Sequence, residues 1–155
     1  MGNAFMARAI QLSFENVHSG LGGPFGCVIV KDGKVIAEGA NRVTAMNDPT
    51  AHAEVLAIRQ ACQKLGSFEL RGCDLYTSCE PCPMCMGAIY WARMNRIYFA
   101  NLSADAAKIG FDDSAIYEEL TQPHAQREIP MIPMMREEAL EAFRAWREKP
   151  GKILY

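Results

Sequence analysis

The chain has 155 residues, half of them hydrophobic and 22% charged, with 16 Lys plus Arg against 18 Asp plus Glu and a formal net charge of −2. That size suits a single domain with a core large enough to stand without staples, and the balance argues against a nucleic-acid binder, which usually carries a basic excess or stripe. No stretch approaches the roughly 18 apolar residues of a membrane span, and no basic segment leads an apolar run at the N-terminus. Six cysteines in that setting point to metal binding or buried thiols before disulfides, so a cytoplasmic protein acting on a small molecule is expected.

Phe5 to Val17 reads as an amphipathic helix with Phe5, Ala9, Leu12 and Asn16 on its inner face, ended by Gly20-Leu21-Gly22-Gly23-Pro24. Phe25 to Val30 and Val35 to Ala40 are β-rich runs around Lys31-Asp32-Gly33-Lys34, where Asp-Gly favours a type I′ hairpin turn. Asp48-Pro49-Thr50 offers capping chemistry for a helix from about Ala51 to Leu65. Leu75 to Ser78 is a short strand, Pro83 opens a helix through Trp91, and Arg96 to Ala100 is another strand. A loop containing Gly110-Phe111-Asp112-Asp113-Ser114 follows, then a short helix near Ile116 to Leu120, a Pro-flanked segment at Ile129 to Met135, and a helix from about Glu137 to Arg147. Strand-helix-strand units in this order predict a mixed sheet covered by helices on both faces.

His52-Ala53-Glu54 and Pro81-Cys82-Pro83-Met84-Cys85 carry the chemistry. Together they supply one imidazole, two thiolates and a carboxylate. A structural zinc takes four protein ligands, whereas a hydrolytic one takes three and leaves a position for water. His52 and Glu54 are two apart and do not share a face inside a regular helix, so both line one pocket only where the chain enters that helix. Cys82 and Cys85 are three apart and meet across a first helical turn, where the helix dipole favours thiolates. Two thiolates cancel the charge of a zinc dication, so its water needs a base, and Glu54 is suited to take that proton and pass it on. Cys79 could offer a third thiol, although its place before the helix suggests that it packs beside the pocket; Cys27, Cys62 and Cys73 read as small buried hydrophobes.

The order H-x-E then P-C-x-x-C resembles the signature of zinc nucleobase deaminases. Asn41, the block from Asp48 to Val55, that from Ser78 to Cys85, Gly87 to Arg93, Ala106, Gly110 to Ser114, Ile129-Pro130, Phe143 to Arg147 and Tyr155 further resemble the bacterial guanine deaminases of the cytidine-deaminase-like fold. The resemblance implies a three-layer α/β/α sandwich with a mixed five-stranded sheet over residues 1–155. It also implies one zinc per subunit on His52, Cys82 and Cys85, and hydrolysis of guanine to xanthine and ammonia. Glu54 and Asp113 would be catalytic, with Asp113 also accepting from the purine and Asn41 on its far edge. Phe25 and Trp91 would wall the ring, the Ala53 N–H would meet a substrate oxygen, and Tyr155 would reach the pocket. A homodimer is implied in which a segment of about 101–155 crosses to the neighbour. The tRNA-adenosine deaminases share the His-Ala-Glu block but resemble the chain less after the second zinc motif, where it holds Asp112, Asp113, Glu118 and Glu119 in place of a basic tail. Guanosine as substrate and a non-catalytic zinc-containing binding protein stand as further alternatives; a spare carboxylate beside three ligands argues against the last.

Overall fold

In the computed structural model, which describes residues 2–155, one compact unit ends at Asp113 and a second spans Ser114–Tyr155. The first begins with α1 (Ala4–Ser19), whose first amides are capped by Asn3: its Oδ1 accepts from the N–H groups of Phe5 and Met6 at 2.9 and 3.1 Å. Gly20 closes the helix in the left-handed conformation, φ +68°.

Strands β1 (Gly26–Lys31) and β2 (Lys34–Ala40) pair antiparallel as a two-residue hairpin, with Lys31 opposite Lys34. Asp32 and Gly33 both take positive φ, 49° and 71°, as the Asp-Gly pair predicts for this turn. β3 (Cys73–Cys79) pairs antiparallel with β1, and β4 (Arg96–Asn101) runs parallel to β3. The sheet therefore has four strands in the order β2-β1-β3-β4, and not the five expected. The apolar run from Ile129 to Met135 forms no strand; Pro130 and Pro133 remove two ladder donors and fix φ.

Alternation along the strands sends side chains to two cores. Cys27, Ile29, Ala37 and Leu75 pack with Ala53, Ala57 and Ala61 of α3 (Ala53–Leu65) and with Ile89 of α4 (Pro83–Trp91). Val28, Val30 and Tyr76 pack with Ala9, Phe5, Met6 and Leu12 of α1. Helices thus cover both faces. α3 lies very close to the sheet at Gly39: a Cβ there would collide with the carbonyl oxygen of Ala53 and stand 2.9 Å from the Ala57 nitrogen. Asn16 is buried on α1 but satisfied, its Nδ2 donating to the carbonyls of Gly23 and Asn41 at 2.7 and 2.9 Å.

Two short helices escaped the pattern analysis. α2 (Val43–Met46) sits between β2 and the metal motif, and α5 (Ser103–Lys108) occupies what reads as loop after β4. Asp105 accepts the Leu102 N–H at 3.1 Å and starts α5.

The second unit holds α6 (Ser114–Thr121), a 3-10 turn at His124–Gln126 and α7 (Arg136–Glu148). Glu119 accepts the Glu128 N–H at 2.8 Å, and the Arg127 guanidinium donates to the Gln122 carbonyl at 3.1 Å. Among the described residues no helix is long and apolar enough to cross a membrane.

Candidate active site

Where α3 begins, His52 has extended backbone, φ −73° and ψ 155°, and occupies the capping position; Ala53 and Glu54 are the first two helical residues. This is the entry geometry that lets an imidazole and a carboxylate two residues apart face one pocket. The helix starts two residues later than expected. Asp48 does not cap it but closes a tight turn, its Oδ1 accepting from the Thr50 N–H at 2.8 Å and the Thr50 hydroxyl at 2.7 Å. Cys82 takes the equivalent position before α4, Pro83 is its first helical residue, and Cys85 lies one turn on.

His52 Nδ1 lies 3.6 Å from Cys82 Sγ and 3.5 Å from Cys85 Sγ, and all three donor atoms lie within 4.8 Å of one another. Tetrahedral zinc with bonds of about 2.3 Å to sulfur and about 2.0–2.1 Å to nitrogen would separate nitrogen from sulfur by about 3.6 Å. The donor set therefore fits one zinc ion per chain, with three protein ligands. Cys79 is not part of it: it ends β3, buried, with its Sγ 3.9 Å from the Leu102 carbonyl.

The electrostatics agree with a thiolate site. The Cys82 thiol is pulled down to about 4, first by a hydrogen bond from Cys85 and then by His52, against the cost of burial. Cys85 keeps the shared proton and is pushed well up by that same bond, by burial and by the Glu54 charge. His52 is raised, chiefly by its hydrogen bond to Cys82.

Glu54 is only 6% exposed. Its Oε1 accepts from the Thr77 hydroxyl at 3.3 Å and its Oε2 from the Cys85 thiol at 3.5 Å. Burial pushes its carboxyl above the ordinary carboxylate range, against its own N–H and Cys85, which stabilise the charged form. A carboxyl poised upward beside a hydrolytic metal set is the arrangement that general acid-base chemistry needs.

Asp113 stands in the same unit, half-buried, and its carboxyl is also raised. Burial is the main cause, followed by the negative charge of Cys82, Asp112 and Glu80. Asn41 is buried after β2; its Oδ1 accepts from the N–H groups of Gly23 and Val43 at 3.3 and 3.2 Å, which fixes the amide orientation and turns its NH₂ away from those bonds. Ala53 is fully buried, with its N–H among the first-turn donors that helix geometry leaves without an intrahelical acceptor. Phe25 packs edge-to-face on Phe111, centroids 5.0 Å apart and planes at 87°.

Trp91 is 66% exposed at the C-terminal end of α4, about 9 Å along the helix axis from Cys85 at 1.5 Å per residue. Tyr155 belongs to the second unit and is 70% exposed. Sequence reasoning overlooked Thr77 and Glu80. Thr77 could be found by the strand alternation that puts Leu75 and Thr77 on the α3 side, and Glu80 by its place between the sheet and the thiols. A cleft of about 630 Å³ opens between α1 and α5, lined in part by Phe25, Ser78, Cys79 and Ala106, and none of the metal donors lines it.

Residues 2–101 match the model of the cytidine and deoxycytidylate deaminase zinc-binding region. The chain belongs to this family. It is 56% identical over 151 residues to the guanine deaminase of Bacillus subtilis strain 168, covering 97% of each chain. The X-ray structure of guanine deaminase from B. subtilis superposes with a TM-score of 0.96 at 55% identity, over 100% of this chain and 99% of that one. The tRNA-specific adenosine deaminase of Agrobacterium fabrum strain C58 is 53% identical over 76 residues, 49% of this chain and 50% of that protein.

Proposed function

We propose that this protein is a zinc-dependent guanine deaminase, hydrolysing guanine to xanthine and ammonia. The carrying observation is that similarity to a guanine deaminase runs through 97% of both chains, past the zinc motifs and through the Asp113 segment, whereas similarity to a tRNA-specific adenosine deaminase stops at about half.

Zinc held by His52, Cys82 and Cys85 supplies a Lewis acid and a water acidified for attack. The remaining work falls to the chain. Glu54, buried and with its carboxyl raised, relays the water's two protons in turn, the first to the ring nitrogen as oxygen bonds to C2 and the second to the amine as the C2–N bond breaks, so that one water enters and one ammonia leaves. Thr77 holds one oxygen of that carboxylate, and the other faces Cys85 on the side of the metal donors. Asp113 accepts from the N1–H and 2-amino donors of guanine, and its raised carboxyl suits it to assist the departing amine. The Asn41 NH₂ meets the purine's far edge, the first-turn N–H of Ala53 meets a substrate oxygen, and Phe25 supports the ring. A retained non-ligating Glu54 argues against a purely structural zinc protein.

The assembly we propose is a homodimer in which the second unit crosses to cover the neighbour's pocket with Tyr155. Residues 101–113 are tied within the first unit, so we take 114–155 as the crossing segment. Ile129, Ile132, Met134 and Phe143 are all exposed there, apolar side chains that an interface between copies would cover. All six cysteines are free, which suits a reducing cytoplasm.

Ammonia release from guanine, guanosine, adenine and a tRNA anticodon stem-loop by zinc-loaded protein tests the reading. Guanine is expected to be turned over, with the stem-loop inert; deamination of tRNA adenosine with guanine untouched would overturn it.

A further inference from the structure

We infer that Glu80 is a positioning residue for Asp113, clamping the short helix α5 to the loop that carries the thiols. The inference rests on the guanine-deaminase reading and deepens it.

Glu80 stands between the last residue of β3 and Pro81-Cys82. Its N–H donates to the Asn101 carbonyl at 2.8 Å, extending the pairing of Cys79 with Asn101 one step past the strand end. Its Oε2 accepts from both the N–H and the hydroxyl of Ser103, each at 2.9 Å. Ser103 is the first residue of α5, so backbone and side chain of one residue tie the thiol loop to the start of that helix. Charge-assisted bonds of this kind are about twice as strong as neutral ones.

The other end of α5 is also fixed. The Phe111 N–H donates to the Ala106 carbonyl at 3.0 Å, Gly110 reverses the chain at φ +96°, and the Phe111 ring stands edge-on to Phe25. Asp113 lies two residues beyond Phe111. It stands in the loop just before α6, and its position relative to Cys82 depends on the Glu80–Ser103 tie on one side and the Phe111–Phe25 contact on the other. Misplacing a substrate-binding carboxylate by about 1 Å can cost about 100-fold in rate.

The test is a double-mutant cycle on guanine turnover, with zinc content measured for every protein. Glu80→Ala is expected to lower kcat/KM about 10- to 100-fold with zinc retained. Glu80→Gln, which keeps an oxygen acceptor for both Ser103 donors, is expected to restore most of the loss. In an Asp113→Ala background, Glu80→Ala should cost nothing further, because the group it positions is gone. Should Glu80→Ala fail to fold, Ser103→Ala, which removes one of the two bonds, enters the same cycle with a smaller expected loss. Additive costs, an unimpaired Glu80→Ala beside an impaired Asp113→Ala, or zinc lost from Glu80→Ala would each overturn the inference alone. Wild type inert on guanine, or an unimpaired Asp113→Ala, would overturn the functional reading and this inference with it.

Discussion

Thr77 Oγ1 donates to Glu54 Oε1 at 3.3 Å, so the central sheet strand reaches the carboxylate at the start of α3 from below. With that oxygen held by Thr77, the other faces the Cys85 thiol on the side of the metal donors, where protons are to be exchanged. Glu54→Gln keeps the shape and is expected to retain fold and zinc while losing about 10²–10⁴-fold in turnover. Circular dichroism, metal analysis and ammonia release check the three parts, and activity within a few-fold of wild type would remove Glu54 from the chemistry.

The donor set gives the next expectation. A Cys82→Ser, Cys85→Ser double variant should carry no zinc after exhaustive dialysis, since a lone imidazole remains at the cluster. Full zinc occupancy in that variant would dismiss these ligands and bring Cys79 forward.

Packing under α3 predicts opposite outcomes for two glycines. Gly39→Ala drives a Cβ into the Ala53 carbonyl, an overpacking cost of about 1–3 kcal/mol, and it displaces the helix start that presents His52 and Glu54. Chemical denaturation and zinc titration should both show the loss. Gly87→Ala meets nothing within 4 Å in the interior of α4 and should stabilise by up to about 1 kcal/mol. Equal effects at the two positions would contradict the close approach seen at Gly39.

Arg8 and Glu38 predict a pH dependence. The guanidinium bonds the carboxylate at 2.7 and 2.9 Å and, chiefly through that hydrogen bond, holds the Glu38 carboxyl below its ordinary value. The folded pKa lies below the unfolded one, about 4.3, so the stabilisation is complete above that value and is lost as pH falls through the folded pKa. Both side chains are about one-third exposed, which limits the effect to about 1 kcal/mol or less. Thermal melts of wild type and Glu38→Gln should differ at pH 7 and converge as pH falls through the folded pKa; a difference that persists unchanged to acid would contradict the pairing.

Deletion of Gly151 to Tyr155 tests the crossing tail. Wild type should be a dimer by light scattering, and the truncated chain should lose activity with its zinc intact, because a lid excludes water and completes substrate contacts. Mixing truncated subunits with Glu54→Gln subunits should restore activity if the tail acts in trans, since a mixed dimer then holds one site with neither defect. A verified mixed dimer without activity would place each tail over its own site.

What could be read in advance was what local chemistry dictates. Pro83 and the Cys-x-x-Cys spacing gave α4 its limits as found, and Asp32-Gly33 gave the hairpin its turn. The entry geometry of His52 and Glu54 followed from their spacing alone. The misreadings came where tertiary contacts decide. α5 is only six residues long and is held by Glu80, 23 positions away from Ser103, so no periodicity marks it. The start of α3 moved because Asp48 spends its side chain on a turn.

The parallel pairing of β3 with β4 bears on the order of events as the chain folds. The β1–β2 hairpin closes through a two-residue turn, a contact of short range that can form within about 1–10 μs. Parallel neighbours cannot join that way and need a crossover, here α4, which carries Cys85 and starts just after Cys82. His52 stands on α3, earlier in the chain and beyond the hairpin. The longest closure in the sheet is that of β1 with β3, which pairs Cys27 with Thr77 across the whole of α3, and the two thiols, which follow β3, are expected to reach the imidazole once it has docked. The metal centre is therefore expected to assemble last, so that a newly made chain settles its scaffold before its reactive sulfurs meet an ion.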